Sequence, residues 1–394
     1  MLSQINESMK RVYPVGAKVL IEQQNMAAPT FSKIKVSKIK PSAAGVYNAV
    51  TMSNNESGIN ISPAGTWAAP EAINVQQPTI TPKTYVTPFE IDVGAIELSE
   101  TNAQAFAPNL DMQMKNNFSV GYSDLNRQIL GKGNGQMTLA NGAGVATATL
   151  VVDNALVFRR GMYIEGWTGA TLEIASVRIN AVNPTTNTLT LAAVRTWSDN
   201  AIITRTGARD VTGASTELMG VQGVADTTAY STTFEGLAVA SNPEWIGNVV
   251  DAGGASVSQG LLLKTYNRIK AIGNGKPNLL ISQFGQSLTF QGTELNKTRY
   301  EAGEVKAGAT ILKWQDLDWV IEKDYDIGEV GMYDLDNLEK FQTKDLHIMD
   351  TDGSSVIRLS RQDAVGGYLR YQGNLGTWAR NKHGRLTGLV EPAL

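Results

Sequence analysis

At 394 residues the chain is long enough for two or three structural units. Its 34 basic against 37 acidic side chains exclude a protein that coats nucleic acid electrostatically over its whole surface. With no cysteine, and histidine only at 347 and 383, it can hold no disulfide framework, thiolate zinc site or thiol nucleophile. Hydrophobic residues at 42% supply a sizeable core, while charged residues at 18% fall below the roughly 25% of ordinary soluble chains. No stretch nears the ~20 apolar residues of a membrane span. The polar start lacks the apolar core of a signal peptide, so the expected setting is a cytoplasm.

Residues 1–40 carry seven bases (Lys10, Arg11, Lys18, Lys33, Lys35, Lys38 and Lys40) less two acids (Glu7 and Glu22), a balance of +5. Residues 41–100 carry one base (Lys83) against six acids (Glu56, Glu71, Glu90, Asp92, Glu97 and Glu100), or −5. The two segments could pair between neighbouring copies, the basic one could face another anion, or both could be solvated surfaces. Residues 41–88 are rich in Ser, Asn, Gln, Gly and Pro, with short alternating runs at 46–50 and 79–81. That pattern predicts two strands flanking a polar tip, a projecting hairpin that cannot bury its own faces and needs another subunit. Trp67 falls in the tip, exposed unless a neighbour covers it.

A long helix is predicted next. Pro108 suits a first helical position, and Leu110, Met114, Phe118, Tyr122 (or Gly121), Leu125 and Ile129 make one apolar stripe. The run from Asn109 to Leu130 is about 22 residues, or ~33 Å, stopped by Gly131, Gly133 and Gly135. Residues 136–205 then read as all-β, with strand-like runs ATATLVV, MYIEGW, TLEIASVRINAV and TLTLAAV and a hairpin loop at 183–187. Leu172 and Ile174 fall out of phase with Val177 and Ile179, which predicts a bulge. Five or six short strands make a small barrel or sandwich, inserted between glycine-rich segments. From about Val211 the chain is α+β: helices over Val257–Ile269 and Phe284–Leu295, a buried strand at 278–282, and later antiparallel strands.

Chemical motifs fail on inspection. Gly273–Pro277 lacks the first glycine and the Ser/Thr of a P-loop, and Gly131–Gly135 follows a helix and fits no G-x-G-x-x-G. Asp350–Gly353 aligned as a calcium loop puts Ile348 and Leu359 at ligand positions. The pairs Asp324/Asp326 and Asp334/Asp336 lie in polar, turn-rich stretches. His347 and His383 have no orienting partner in sequence, and His383 sits in a basic turn, residues 380–385, that reads as surface or interface. The sequence therefore predicts no catalytic, cofactor or metal residue, and no enzyme.

Four segments, TELMGVQGVAD (216–226), KPNLLISQFGQSLTFQGTEL (276–295), AGATILKWQDLDWVIEKDYDIGEVGMYDLDNLEKF (307–341) and GYLRYQGNLGTWARNKHGRLTGL (367–389), together with the order of parts, resemble the major capsid proteins of tailed bacteriophages. The resemblance implies the α+β Hong Kong 97-type fold. Its parts would be an N-terminal arm (1–40), an E-loop hairpin (41–88), a peripheral domain with the spine helix (89–135), an inserted β domain (136–210), an axial domain (211–330) and strands returning to both (331–394). It implies self-assembly as hexamers and pentamers into an icosahedral virion shell, built in the bacterial host cytoplasm around packaged double-stranded DNA contacted without sequence specificity. A portal, decoration proteins and a separate scaffolding protein are the further implied partners, the last because no charged helical stretch precedes the arm; no membrane is implied. The expected intersubunit contacts are Trp67, Lys33, Lys35, Lys38, Lys40, Glu56 and Glu71. Another virion component, from the tail or the decoration, suits the β insertion but not the long helix and α+β body. A hydrolase would need the carboxylates or His383 to converge in one cleft.

Overall fold

The computed structural model describes residues 29–61, 65–92, 103–228, 232–295, 312–315, 317–349, 357–358 and 364–392. Lys10, Arg11 and Lys18 of the arm and the turn 350–353 lie outside them.

The described chain enters through a short helix, α1 (Pro29–Lys33), and strand β1 (Lys35–Val36). The hairpin follows. Its root is β2 (Val46–Tyr47) paired antiparallel with β5 (Thr79–Ile80). Farther out β3 (Val50–Ser53) pairs with β4 (Asn74–Gln76). Strand β6 (Lys83–Asp92) then leads towards the long helix α2 (Ala103–Leu130). This helix has 28 residues where the sequence predicted about 22, and Pro108 stands inside it. Ala103, Gln104 and Ala105 are strong helix formers and carry the helix through the proline at the loss of one i→i−4 bond. Its C-terminal half buries Leu125 and Ile129, with Phe118 and Tyr122 partly covered, as the spacing predicted; the side chains of Leu110 and Met114 lie outside the described ones.

The inserted module comprises β7 (Gln136–Leu139), β8 (Gly144–Val151), β9 (Tyr163–Thr168), β10 (Thr171–Asn183), β11 (Thr188–Trp197) and β12 (Ile202–Arg205), in spatial order β7-β12-β9-β10-β11-β8. The sheet closes on itself. Ala140 bridges Val152, the Asn141 N–H donates to the Val151 carbonyl at 2.9 Å, and the Asp153 N–H donates to the Leu139 carbonyl at 3.1 Å. The module is thus a six-stranded barrel in which β7 and β8 meet through this one bridge. Leu150, Ile164, Ile174, Ile179, Leu189 and Ile203 fill it as a core of its own. The predicted irregularity is present, as register shifts between Leu172 and Ile174 and between Ile174 and Val177.

Past the barrel come α3 (Val221–Val224), the small hairpin of β13 (Thr233–Phe234) and β14 (Leu237–Ala238), and β15 (Asn248–Asp251). Next are α4 (Gln259–Gly273), β16 (Leu279–Ser282), α5 (Phe284–Leu295), β17 (Leu312–Trp314), β18 (Leu317–Ile321) and β19 (Val330–Tyr333). Helix α4 has standard ends: Ser258 accepts the Leu261 N–H, and Asn274 takes the left-handed conformation after Gly273. The chain finishes with β20 (Leu338–Ile348), β21 (Ile357–Arg358), β22 (Ala364–Thr377) and β23 (Gly384–Thr387).

Two sheets organise the body. Strand β22 pairs with β20, β21 and β6 in one, where β1 adds parallel to β20. Its apolar face (Leu369, Tyr371, Leu375, Phe89) shares a core with Leu125 and Ile129 of α2. The second sheet runs β15-β23-β19-β16-β18-β17. It shares a second core with α4 through Leu262, Ile269, Leu280, Val330 and Leu386.

The barrel meets α2 through charge. Asp124, with its carboxylate dry, receives Arg127 at 3.0 Å and Arg205 of β12 at 2.7 Å, and accepts from Gln128 at 3.2 Å. Arg127 also grips Glu217 with both terminal nitrogens, and Arg159 of the barrel donates to Ser123 at 3.1 Å. Burial alone would push the Asp124 carboxyl up. The two guanidiniums outweigh that and hold it well below the usual carboxylate range.

Candidate assembly surfaces

The hairpin is anchored at one end and bare at the other. At its root Val46 and Ile80 are buried against Phe341 and Trp378. In β4 and beyond it the side chains face outward: Val75, Ile73, Ile59 and Ile61 are exposed, and Trp67 is 86% exposed. A bare indole costs roughly what burying it would return, on the order of 2–3 kcal/mol. Glu56 and Glu71 are exposed on the same segment, and among the described residues neither makes an ion pair.

The arm's lysines divide. Lys33 lies 3.5 Å from Asp318 and Lys35 2.5 Å from Asp336, both within the same chain. Both pairs are solvated, so each contributes little to stability. Lys38 and Lys40 are exposed, and among the described residues they have no carboxylate partner. A further cationic surface had no signal in the sequence: Lys344, His347 and Arg370 line a groove of about 300 Å³ with Ile348 and Met349. The side chains come from two strands, β20 and β22, whose pairing the local pattern could not reveal.

The carboxylate pairs do not converge. Asp324 is paired with Lys323 at 3.8 Å, and Asp326 with Lys132. Asp334 accepts the Asp336 N–H at 3.1 Å and Asn337 Nδ2 at 2.9 Å, while Asp336 faces Lys35. Among the described residues no three His, Asp or Glu side chains cluster as metal ligands.

The basic turn 380–385 is largely interior where the sequence reading had surface or interface: Arg380, His383 and Arg385 are buried, while Asn381 and Lys382 are partly exposed. His383 Nδ1 accepts the Asp334 N–H at 3.3 Å, which puts its proton on Nε2, 3.2 Å from Thr377 Oγ1. Charging the ring would aim two donors at each other inside the core. Burial leads the causes that push this imidazole down to about 4, against 6.5 for a free one. The unfolded chain therefore binds the proton first. Stability contributed by the neutral ring is complete above pH 6.5 and is lost between there and pH 4, by roughly 3 kcal/mol in total. The stability of the wild type relative to His383→Asn, from urea unfolding at pH 7.5, 6 and 5, is expected to fall as the pH drops through this range. Parallel profiles would contradict the assignment.

This combination of a bare hairpin, a long helix laid on a five-stranded sheet, and a second mixed sheet is the fold of phage capsid subunits. The chain is similar over 96% of its own length and 96% of the other's to the cyanophage A-1(L) capsid asymmetric unit, with a TM-score of 0.60 at 10% identity. It is similar over 96% of its length and 95% of the other's to the capsid subunit of a native GTA particle, with a TM-score of 0.50 at 9% identity. No protein-family model and no curated protein sequence matches it.

Proposed function

We propose that the chain is the major capsid protein of a tailed bacteriophage, a structural protein that assembles as hexamers and pentamers into an icosahedral shell around packaged double-stranded DNA. The observation that carries this reading is the hairpin: a capsid-type body extends a segment whose apolar side chains, Trp67 foremost, are exposed in the single chain. On this reading the hairpin is the E-loop and residues 29–40 belong to the arm. The sheet of β6, β20 and β22 with α2 is the peripheral domain, and the sheet of β15–β19 and β23 is the axial domain. The shell forms in the host cytoplasm with a separate scaffolding protein and a portal, and becomes part of the virion. Trp67, Glu56 and Glu71 would meet a neighbouring copy, to which Lys38, Lys40 and the groove of Lys344, His347 and Arg370 offer the complementary charge.

Size-exclusion chromatography and negative-stain microscopy of the purified chain test the reading. Capsomers, or closed shells when the scaffolding protein is co-expressed, are expected; a chain that stays a monodisperse 42.4 kDa monomer with and without that partner overturns it, and tubes or stacked rings favour a tail component. Trp67→Ala is expected to abolish or shrink the assemblies. It should leave the unfolding midpoint of the dissociated chain within about 0.5 kcal/mol of wild type, because the indole touches little of its own body. Unchanged particles in that variant would remove Trp67 from the interface.

A further inference from the structure

Glu235 occupies an unusual position at the root of the hairpin. With Gly236 it forms the two-residue turn between β13 and β14, and both residues have positive φ, +49° and +81°. Turns of this hand favour Asn-Gly, so a glutamate held there is strained and is kept by its surroundings. Its main-chain carbonyl accepts the Thr79 N–H at 2.7 Å, tying the returning strand of the hairpin to the body. Its side chain crosses to the end of β22, where Oε1 accepts the Thr377 N–H at 3.1 Å. The other oxygen, Oε2, is buried with no hydrogen-bond partner. The side chain packs closely on Gly376 and Ile80. A Cβ placed on Gly376 would lie 2.3 Å from Ile80 Cδ1 and 2.9 Å from Glu235 Oε1.

We propose that Glu235 is a proton-gated latch on the hairpin root: with its carboxyl neutral the root stays seated, and loss of the proton goes with release of the root from the body.

The surroundings supply one cation and, among the described residues, no ion pair to the carboxyl. Thr79 and Ile80 of the hairpin do not ionise, and neither do Gly376 and Thr377 of β22. Among the described residues the charge facing the carboxyl is Arg380, with Asp226 behind it. Arg380 is committed elsewhere, donating to the carbonyls of Val224, Trp245 and Gly223 at 3.0, 3.0 and 3.1 Å. Burial therefore dominates and pushes the seated carboxyl up to about 8, from an ordinary 4.5. Opening wets the carboxyl and returns it to its ordinary value. Each pH unit between about 4.5 and 8 then shifts the balance about tenfold towards the open root, and the drift levels off above 8. The latch stands whatever surface the hairpin docks on, so a failed assembly test leaves it intact.

Hydrogen exchange at the Thr79 amide, corrected for the intrinsic pH dependence of exchange, reads the latch directly in the full chain. Protection in the wild type is expected to fall by roughly 90-fold between pH 6 and pH 9. In Glu235→Gln it is expected to be flat. Glu235→Gly, which accepts the positive φ without strain, should be flat as well and serves if the glutamine variant folds poorly. Wild-type protection that ignores pH, or a wild-type slope shared by the variants, overturns the proposal.

Discussion

Replacing Asp124 by alanine is expected to cost about 3–5 kcal/mol of folding stability, a large share of what a domain possesses. The carboxylate is buried between two guanidiniums, Arg127 from its own helix and Arg205 from the last barrel strand. Without it Arg127 keeps Glu217, but Arg205, which is partly exposed, loses its one ion-pair partner among the described residues and faces a like charge. The penalty is mainly that stranded cation, so Asp124→Asn should recover only part of the loss. Arg205→Ala in the Asp124→Ala background should cost less than the sum of the two single changes. The damage should also be directional. The barrel has its own core and closes its own sheet, so exchange protection should fall at the α2–β12 junction while strands β10 and β11 stay protected. A urea midpoint shift worth less than 1 kcal/mol, or uniform loss of protection across the barrel, would show that the ion network does not hold the module to the body.

What the sequence made legible follows from the range of each interaction. The strands of the barrel, the helices at 259–273 and 284–295 and the bulge in β10 are written in local periodicity, and the structure has them where the pattern put them. Closure of the barrel was left open between barrel and sandwich, because it depends on two main-chain bonds joining residues 139–141 to 151–153, which no side-chain pattern encodes. Charge was the least legible property. Lys33 and Lys35 read as part of a free basic arm, yet Asp318 and Asp336, some 285 and 301 residues away, sit beside them. Asp124, Arg127 and Arg205 are ordinary polar letters in sequence, and only the packing of the barrel on α2 makes them a network. The hairpin is the instructive contrast. Its lack of a core of its own was readable from composition, and the structure leaves Trp67 bare; the neighbour that would cover it belongs to the proposal.

Arg380→Met should be nearly as damaging as Asp124→Ala, at about 3–5 kcal/mol, for a different reason. Arg380 is 1% exposed and has no carboxylate in hydrogen-bond contact. Its three donors go to main-chain carbonyls, two of them (Gly223 and Val224) at the C-terminal end of α3, a helix of one turn that cannot satisfy its own last carbonyls. The third, on Trp245, joins that end to the approach to β15, and the guanidinium lies over the Phe234 ring at 4.1 Å. Burial lowers its affinity for a proton to about 10, which still leaves it charged at neutral pH. Methionine fills similar space and brings no donor, so the Val224 and Trp245 carbonyls go unpaired at about 1–3 kcal/mol each before relaxation, while Gly223 keeps its 3.4 Å bond from the Asp226 N–H. Lysine keeps the charge but offers a point in place of a planar fork, and should recover less than half the loss. The same side chain faces the Glu235 carboxyl, so removing the cation should also raise that carboxyl's affinity for a proton and move the pH at which the hairpin root stops loosening upward. A measured cost under 1.5 kcal/mol for Arg380→Met, or equal stability of the lysine variant and wild type, would show that the carbonyls find other donors and that the buried turn is held by packing alone.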